Sequence, residues 1–153
     1  MPEEQVKPFA PILLVVDSSD AALRAARRAI ELARTLQAKI FATGVVDTQT
    51  LGQLLKGKIL VQDEMEDFEA ELAESAKRYL KMVDGMAKEA GVDLEPVLLK
   101  GGWHQGILYQ QRECKAGLVI LGGFTSSMTK RDLVAKAKQL IVDEVPCPVM
   151  IVK

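Results

Sequence analysis

Short apolar runs alternate with longer amphipathic segments along the chain, and this alternation constrains the fold more than any other feature of the sequence. The run from Ile12 to Val16 has no polar residue, which is typical of a strand that is buried on both faces of a sheet. The other predicted strands cover Lys39 to Val46, Val92 to Leu99, Gly117 to Leu121 and Val149 to Val152. Strands that alternate with helices predict an α/β fold, with a parallel sheet covered by helices on both faces.

Four helices are predicted between these strands. The first follows the polar cluster Asp17 to Asp20, whose side chains are of the types that cap helix N-termini. The others run from Asp63 to Ala90, from Trp103 to Cys114 and from Lys130 to Glu144. On the last helix, the spacing of apolar residues predicts a shared face made of Leu133, Ala137, Leu140, Ile141 and Glu144. The connection from Asp47 to Gln62 has no clear pattern over its whole length, and a short helical turn is expected near Leu51 to Leu55.

Length, charge and cysteine content exclude several classes of protein. A chain of 153 residues suits one domain, residues 1–153. The formal net charge of −1 lacks the concentrated positive charge that nucleic acids and anionic membranes require. No apolar run approaches the roughly 20 residues that span a bilayer, and the N-terminus does not resemble a signal peptide. Two cysteines are too few for a disulfide scaffold, which favours a reducing compartment. Together, the charge, the apolar runs and the cysteine content predict a cytoplasmic protein that binds neither nucleic acid nor membrane.

The candidate ligand site follows the first and fourth predicted strands. Ligands of open parallel sheets bind beyond the carboxyl ends of the strands, where the winding reverses. A glycine turn between a strand and a helix can present backbone N–H groups to a phosphate, and hydroxyl side chains add donors. The predicted residues of this ligand or anion site are Asp17, Ser18, Gly122, Gly123, Thr125, Ser126, Ser127 and Lys136.

Each of these residues also has a purely structural interpretation. Asp17 could contact a ligand, but capping of the first helix together with Ser18 explains it as well. Gly122 and Gly123 could admit a phosphate or could simply allow the chain to turn. No paired carboxylates, metal cluster, catalytic triad or complete phosphate-binding loop is present, so we expect no catalytic residue, no metal and no enzyme activity.

The chain resembles the universal stress protein family over essentially its full length. The resemblance rests on ILLVVDSSDAALRAARRAIELA, GGWHQGIL, KAGLVILGG and VPCPVMIVK, in this order and at this spacing. It implies a doubly wound, Rossmann-like sheet of five strands in the order 3-2-1-4-5. It also implies a homodimer and a stress-response role that is often regulatory. We place the dimer interface on the last strand, at Val149, Met150, Ile151 and Val152, because an exposed apolar edge invites pairing.

Many members of that family bind ATP through a glycine, two residues, a second glycine, nine residues, a third glycine and a hydroxyl residue. The matching positions here are Gly122, Thr125, Ala135 and Lys136, so the spacing is kept and most residue types are not. The chain therefore resembles the branch of the family that lacks the complete glycine motif. This predicts weak ATP binding or none, while small anions could still bind.

Two alternative functions stay open on the sequence alone. One is a switch that retains ATP or AMP as a cofactor despite the altered loop. The other is a slow ATPase or phosphotransfer enzyme, which would need a positioned carboxylate with Mg²⁺, and only Asp17 is a candidate for it. Which protein partner the dimer would contact is not encoded in any recognisable motif.

Overall fold

A parallel sheet of five strands, in the order β3-β2-β1-β4-β5, forms the centre of the molecule in a computed structural model. The structure describes residues 7–58, 61–123 and 128–153, and the side chains of residues 50, 54 and 128–134 lie outside that description. The strands are β1 (Ile12–Val15), β2 (Ile40–Asp47), β3 (Leu94–Gly101), β4 (Leu118–Gly122) and β5 (Val149–Val152). Sheet order, strand direction and fold class are thus confirmed.

In the described part of the chain, five helices connect the strands, one more than the four that the sequence predicts. They are α1 (Asp20–Leu36), α2 (Thr48–Lys56), α3 (Gln62–Ala90), α4 (Trp103–Cys114) and α5 (Met128–Glu144). The additional helix, α2, contains the short turn that was expected near Leu51 to Leu55 and extends it in both directions. Gly52 weakens the helical pattern of this segment, whereas Leu51 is 97% buried, so tertiary packing favours a helix that propensity alone does not.

Two hydrophobic clusters lie on opposite faces of the sheet. Ile12 and Leu14 of β1 point to the face that α1 and α3 cover, and Leu13 and Val15 point to the face that α4 and α5 cover. All four side chains are at least 98% buried, which explains why the strand carries no polar residue. The buried face of α1 consists largely of alanines, which lets this helix approach the sheet closely.

The winding of the sheet reverses between β1 and β4, which are the third and fourth strands in the sheet order. In this pair Ile12 lies beside Leu118 and Leu14 beside Ile120, so the carboxyl ends of both strands reach the same edge. Asp17 follows β1 and Gly123 follows β4 at that edge. The fold therefore brings the two segments of the predicted site together, as expected for an open sheet of this order.

Candidate functional site

The segment after β1 is organised by its own polar groups. Ser19 is the N-cap of α1, because its hydroxyl accepts a hydrogen bond from the Ala22 N–H at 3.2 Å. The Ser19 hydroxyl also donates to the Asp17 carboxylate, and the Ser19 N–H donates to the Asp17 carbonyl at 2.9 Å. Ser18, predicted to help with capping, instead lies on the surface with its Oγ 3.0 Å from Ser75 Oγ on α3.

A buried lysine that the sequence analysis missed fills the edge between β1 and β4. Lys138 of α5 is 99% buried. Its Nζ donates to the backbone carbonyls of Gly122 and Gly123, at 2.8 Å each, and lies 3.6 Å from Asp17 Oδ2. A buried ammonium requires such oxygen partners, because its transfer out of water is otherwise very costly. We call these three atoms, Gly122 O, Gly123 O and Asp17 Oδ2, the oxygen cage.

The pattern that could have revealed Lys138 lies in α5 itself. The buried residues of the described part of this helix are Lys138, Ile141 and Val145, the last just beyond its end, and their spacing of three and four defines one face. Two residues of the predicted face, Leu140 and Glu144, are exposed instead. The buried face of α5 is therefore rotated about the helix axis relative to the predicted one. The central residue of the observed face is a cation, which a pattern of apolar residues does not reveal.

The two glycines after β4 have packing reasons for their identity. A Cβ on Gly122 would lie 2.7 Å from the carbonyl carbon of Ala21, at the start of α1. A Cβ on Gly123 would lie 3.2 Å from the Val152 carbonyl oxygen. The Gly123 N–H donates to that same oxygen at 2.7 Å, as part of the contact between β4 and β5. Close backbone packing therefore explains both glycines, and the Gly123 N–H is already engaged within the protein.

The Gly122 contact gives a direct test of this packing. We expect Gly122→Ala to lower the free energy of unfolding by about 1–3 kcal/mol, because the added methyl group forces α1 and β4 apart. Urea denaturation monitored by circular dichroism would measure it. Gly85→Ala is the control, since Gly85 lies within α3 with nothing near its Cβ position, and should stabilise by roughly 0.5–1 kcal/mol. Equal effects of the two changes would contradict the packing argument.

The remaining predicted site residues are not brought into the oxygen cage by the described structure. Lys136, two residues before Lys138, is exposed on α5. Thr125, Ser126 and Ser127 lie outside the described residues, so their part in the site stays a prediction. The described structure thus brings together Asp17, Gly122 and Gly123 with Lys138, and not with Lys136.

Other candidate groups lie away from the cage. His104, at the start of α4, has its Nε2 4.0 Å from Glu144 Oε2, which links the ends of α4 and α5. Within residues 7–58, 61–123 and 128–153 no group of three or more His, Cys, Asp or Glu side chains is placed to hold a metal ion. Among the helices of the same residues, none has the length and apolar character to cross a bilayer.

Both cysteines pack beside the cluster under α4 and α5. Burial raises the pKa of the Cys114 thiol, and burial together with the nearby Cys114 raises the pKa of the Cys147 thiol. Because the thiolate is the reactive form, neither group has the depressed pKa of a catalytic or redox-active cysteine. The structural interpretation of both residues is the one that these environments favour.

Alkylation provides a simple test of the two thiols. Near pH 8, we expect iodoacetamide to label the folded protein at least about tenfold more slowly than the urea-unfolded chain, because the folded thiols stay protonated and partly covered. The labelling rate of the folded protein should keep rising above pH ~9, where an ordinary thiol with pKa near 8.5 is already mostly ionised. Mass spectrometry resolves the two sites, and equal rates for folded and unfolded protein would contradict the expectation.

Comparison with known proteins decides the family. The sequence model of the universal stress protein family matches residues 8–153. The chain belongs to the universal stress protein family. A curated member from Methanocaldococcus jannaschii is 29% identical over 95% of this chain and 82% of its own length.

Solved members of the family share the fold. The universal stress protein UspA from Lactobacillus plantarum superposes with a TM-score of 0.74 at 24% identity, over 95% of this chain and 98% of its own. A universal stress protein from Archaeoglobus fulgidus, in complex with dAMP, gives a TM-score of 0.66 at 20% identity, with coverage of 95% and 98%. At these identities the likeness shows a shared fold, and the strand order of the present chain agrees with it.

Proposed function

We propose that this universal stress protein is a single-domain, non-catalytic, homodimeric binding protein of the stress response, with weak ATP binding or none. The main support for the proposal is that polar groups at the edge between β1 and β4 are already bonded within the protein. A triphosphate bound there would need free backbone N–H groups and a free carboxylate or cation. The Gly123 N–H, the Asp17 carboxylate and the Lys138 ammonium are instead engaged with one another or with β5.

Small anions remain candidate ligands at the same edge. The N-terminus of α1 lies there, and its dipole favours a nearby negative charge. Lys138 and Asp17 are paired, so the carboxylate does not leave a net negative charge that would repel an anion. A phosphate or sulfate needs fewer backbone contacts than a triphosphate, and this difference supports discrimination between them.

An adenine nucleotide switch is the second candidate. The specific support for it is that the Archaeoglobus fulgidus relative was solved with dAMP, a nucleoside monophosphate. A monophosphate carries one phosphate to the sheet edge and demands less of the glycine turn than ATP does. AMP is therefore the nucleotide that distinguishes the two candidates most sharply.

The dimer is proposed to form through β5. This strand lies at one end of the sheet, and Met150 and Ile151 are 39% and 40% exposed. A groove of about 470 Å³ adjoins it, lined by the strand and by Arg28, Glu31, Leu32 and Thr35 of α1. An apolar edge strand can pair with its own copy across a two-fold axis, which removes the unpaired edge and closes the assembly.

The proposed function is tested by analysing what the purified protein binds and what it converts. Mass analysis of the ligand released on denaturation should find no adenine nucleotide. Thermal unfolding should respond to phosphate or sulfate more than to matched chloride, and incubation with Mg-ATP should release no phosphate above background. Co-purified AMP would favour the switch instead, and sustained phosphate release that depends on Asp17 would favour an enzyme.

A further inference from the structure

The oxygen cage has the composition of a site for a small cation. It offers two backbone carbonyl oxygens and one carboxylate oxygen, the ligand types that hard cations prefer. The occupant is the ammonium of Lys138, which has three donors and no acceptor and is 99% buried. We propose that the ligand crevice of this protein contains a cation site that is permanently occupied by its own lysine, and that this tethered cation excludes a ligand-borne metal ion.

The exclusion follows from the positions of the three oxygens. Mg²⁺ in nucleotide sites is usually held by one or two carboxylates together with phosphate oxygens. Asp17 is the carboxylate at the end of β1, and the Lys138 ammonium already lies 3.6 Å from its Oδ2. A metal ion at the same place would be brought close to a buried positive charge. The crevice should therefore take phosphate without metal and reject Mg-ATP; this consequence for ligands rests on the proposed function.

The Lys138 ammonium also stabilises the fold, because it links three separate segments of the chain. Its two hydrogen bonds join α5 to the turn after β4, and its ion pair reaches the segment after β1. Removal of the ammonium should leave three oxygens facing each other around a vacant space. A free cation of similar size that can donate hydrogen bonds should enter that space, which makes the proposal testable by chemical rescue.

The experiment compares Lys138→Ala with Lys136→Ala, its matched control on the exposed side of the same helix. Thermal unfolding is measured in methylammonium chloride and in tetramethylammonium chloride at equal ionic strength. Methylammonium reproduces the end of the lysine side chain, whereas tetramethylammonium is larger and has no N–H donor. We expect methylammonium to raise the Tm of Lys138→Ala by several degrees over tetramethylammonium, and to give no such difference for Lys136→Ala or the wild-type protein.

A second variant keeps the test decisive if Lys138→Ala folds poorly. Asp17→Asn combined with Lys138→Ala removes both charges, so it should fold better than Lys138→Ala and respond less to methylammonium. Recovery of the native circular dichroism of Lys138→Ala only in methylammonium would also support the proposal. An equal response of Lys138→Ala and Lys136→Ala to the two salts, or failure of Lys138→Ala to fold in both, would overturn it.

The consequence for ligands is measured separately with Mg-ATP. Lys138→Ala should bind Mg-ATP at least about tenfold more tightly than the wild type, while Lys138→Arg, which keeps the cation, should not. Methylammonium rescue without a gain in Mg-ATP affinity would retain the cation site and refute its role in ligand choice. Tight Mg-ATP binding by the wild type would refute the proposed function whatever the result of the rescue.

Discussion

Lys138→Met is expected to lower the free energy of unfolding by about 3–5 kcal/mol, the usual cost of removing one partner from a buried ion pair. Methionine has a similar length and packs well, so the loss should come from the oxygens that the ammonium now satisfies. Asp17 would lose its counter-ion and the carbonyls of Gly122 and Gly123 their donor. For a chain of this size the expected drop in Tm is about 6–20 °C, measured by calorimetry.

Two control variants separate this mechanism from a general loss of charge. Lys136→Met removes an exposed lysine from the same helix and should change stability by no more than about 0.5 kcal/mol. Asp17→Asn combined with Lys138→Met should recover part of the loss, because no unpaired carboxylate remains. A Lys138→Met protein as stable as Lys136→Met would show that the oxygen cage contributes little to the fold.

Ile151→Lys is expected to weaken self-association by at least about 100-fold, which corresponds to about 2.7 kcal/mol. In the proposed dimer the added charge would be buried between two copies of β5 and would face its own symmetry mate. Sedimentation velocity at several concentrations would measure the change. Met150→Pro should act in the same direction, since proline interrupts backbone pairing along the edge.

The control for this experiment is Leu72→Lys on α3. Leu72 is 37% exposed and Ile151 is 40% exposed, so both changes add a lysine to a similarly exposed apolar position. Only the change on β5 should alter the association. A wild-type protein that is monomeric at micromolar concentration would contradict the proposed dimer outright.

The sequence predicts the strands of the sheet well because buried strands appear as short runs of apolar residues. The run at β1 is apolar throughout since both of its faces are covered, and the same holds for β4. The strand order could not be worked out from the strands themselves and came from the family resemblance. Helix α2 was predicted only as a short turn because Gly52 weakens its pattern, and because the burial of Leu51 that stabilises it depends on other elements.

Three residues of the predicted site lie close together, but the lysine that joins them was not predicted. Asp17, Gly122 and Gly123 do meet at the edge between β1 and β4, as the topology requires. Lys138 was missed because a lysine on a helix is normally exposed. Its inward orientation depends on how α5 packs in the fold, which the sequence alone does not show. Lys136 could face a ligand only if α5 were rotated to point it there. The spacing of residues in a motif does not determine that rotation.

Calorimetric titration of the wild-type protein with Mg-ATP tests the central claim most directly, namely that the groups of this crevice are occupied by each other rather than held ready for a triphosphate. We predict no saturable heat at millimolar Mg-ATP. In parallel unfolding measurements, Mg-ATP should not approach the stabilisation of ~2.7 kcal/mol that a ligand at 100 times its Kd contributes. The same titration with inorganic phosphate should give a weak signal that does not depend on Mg²⁺. Saturable binding of Mg-ATP with a low micromolar Kd would contradict the account.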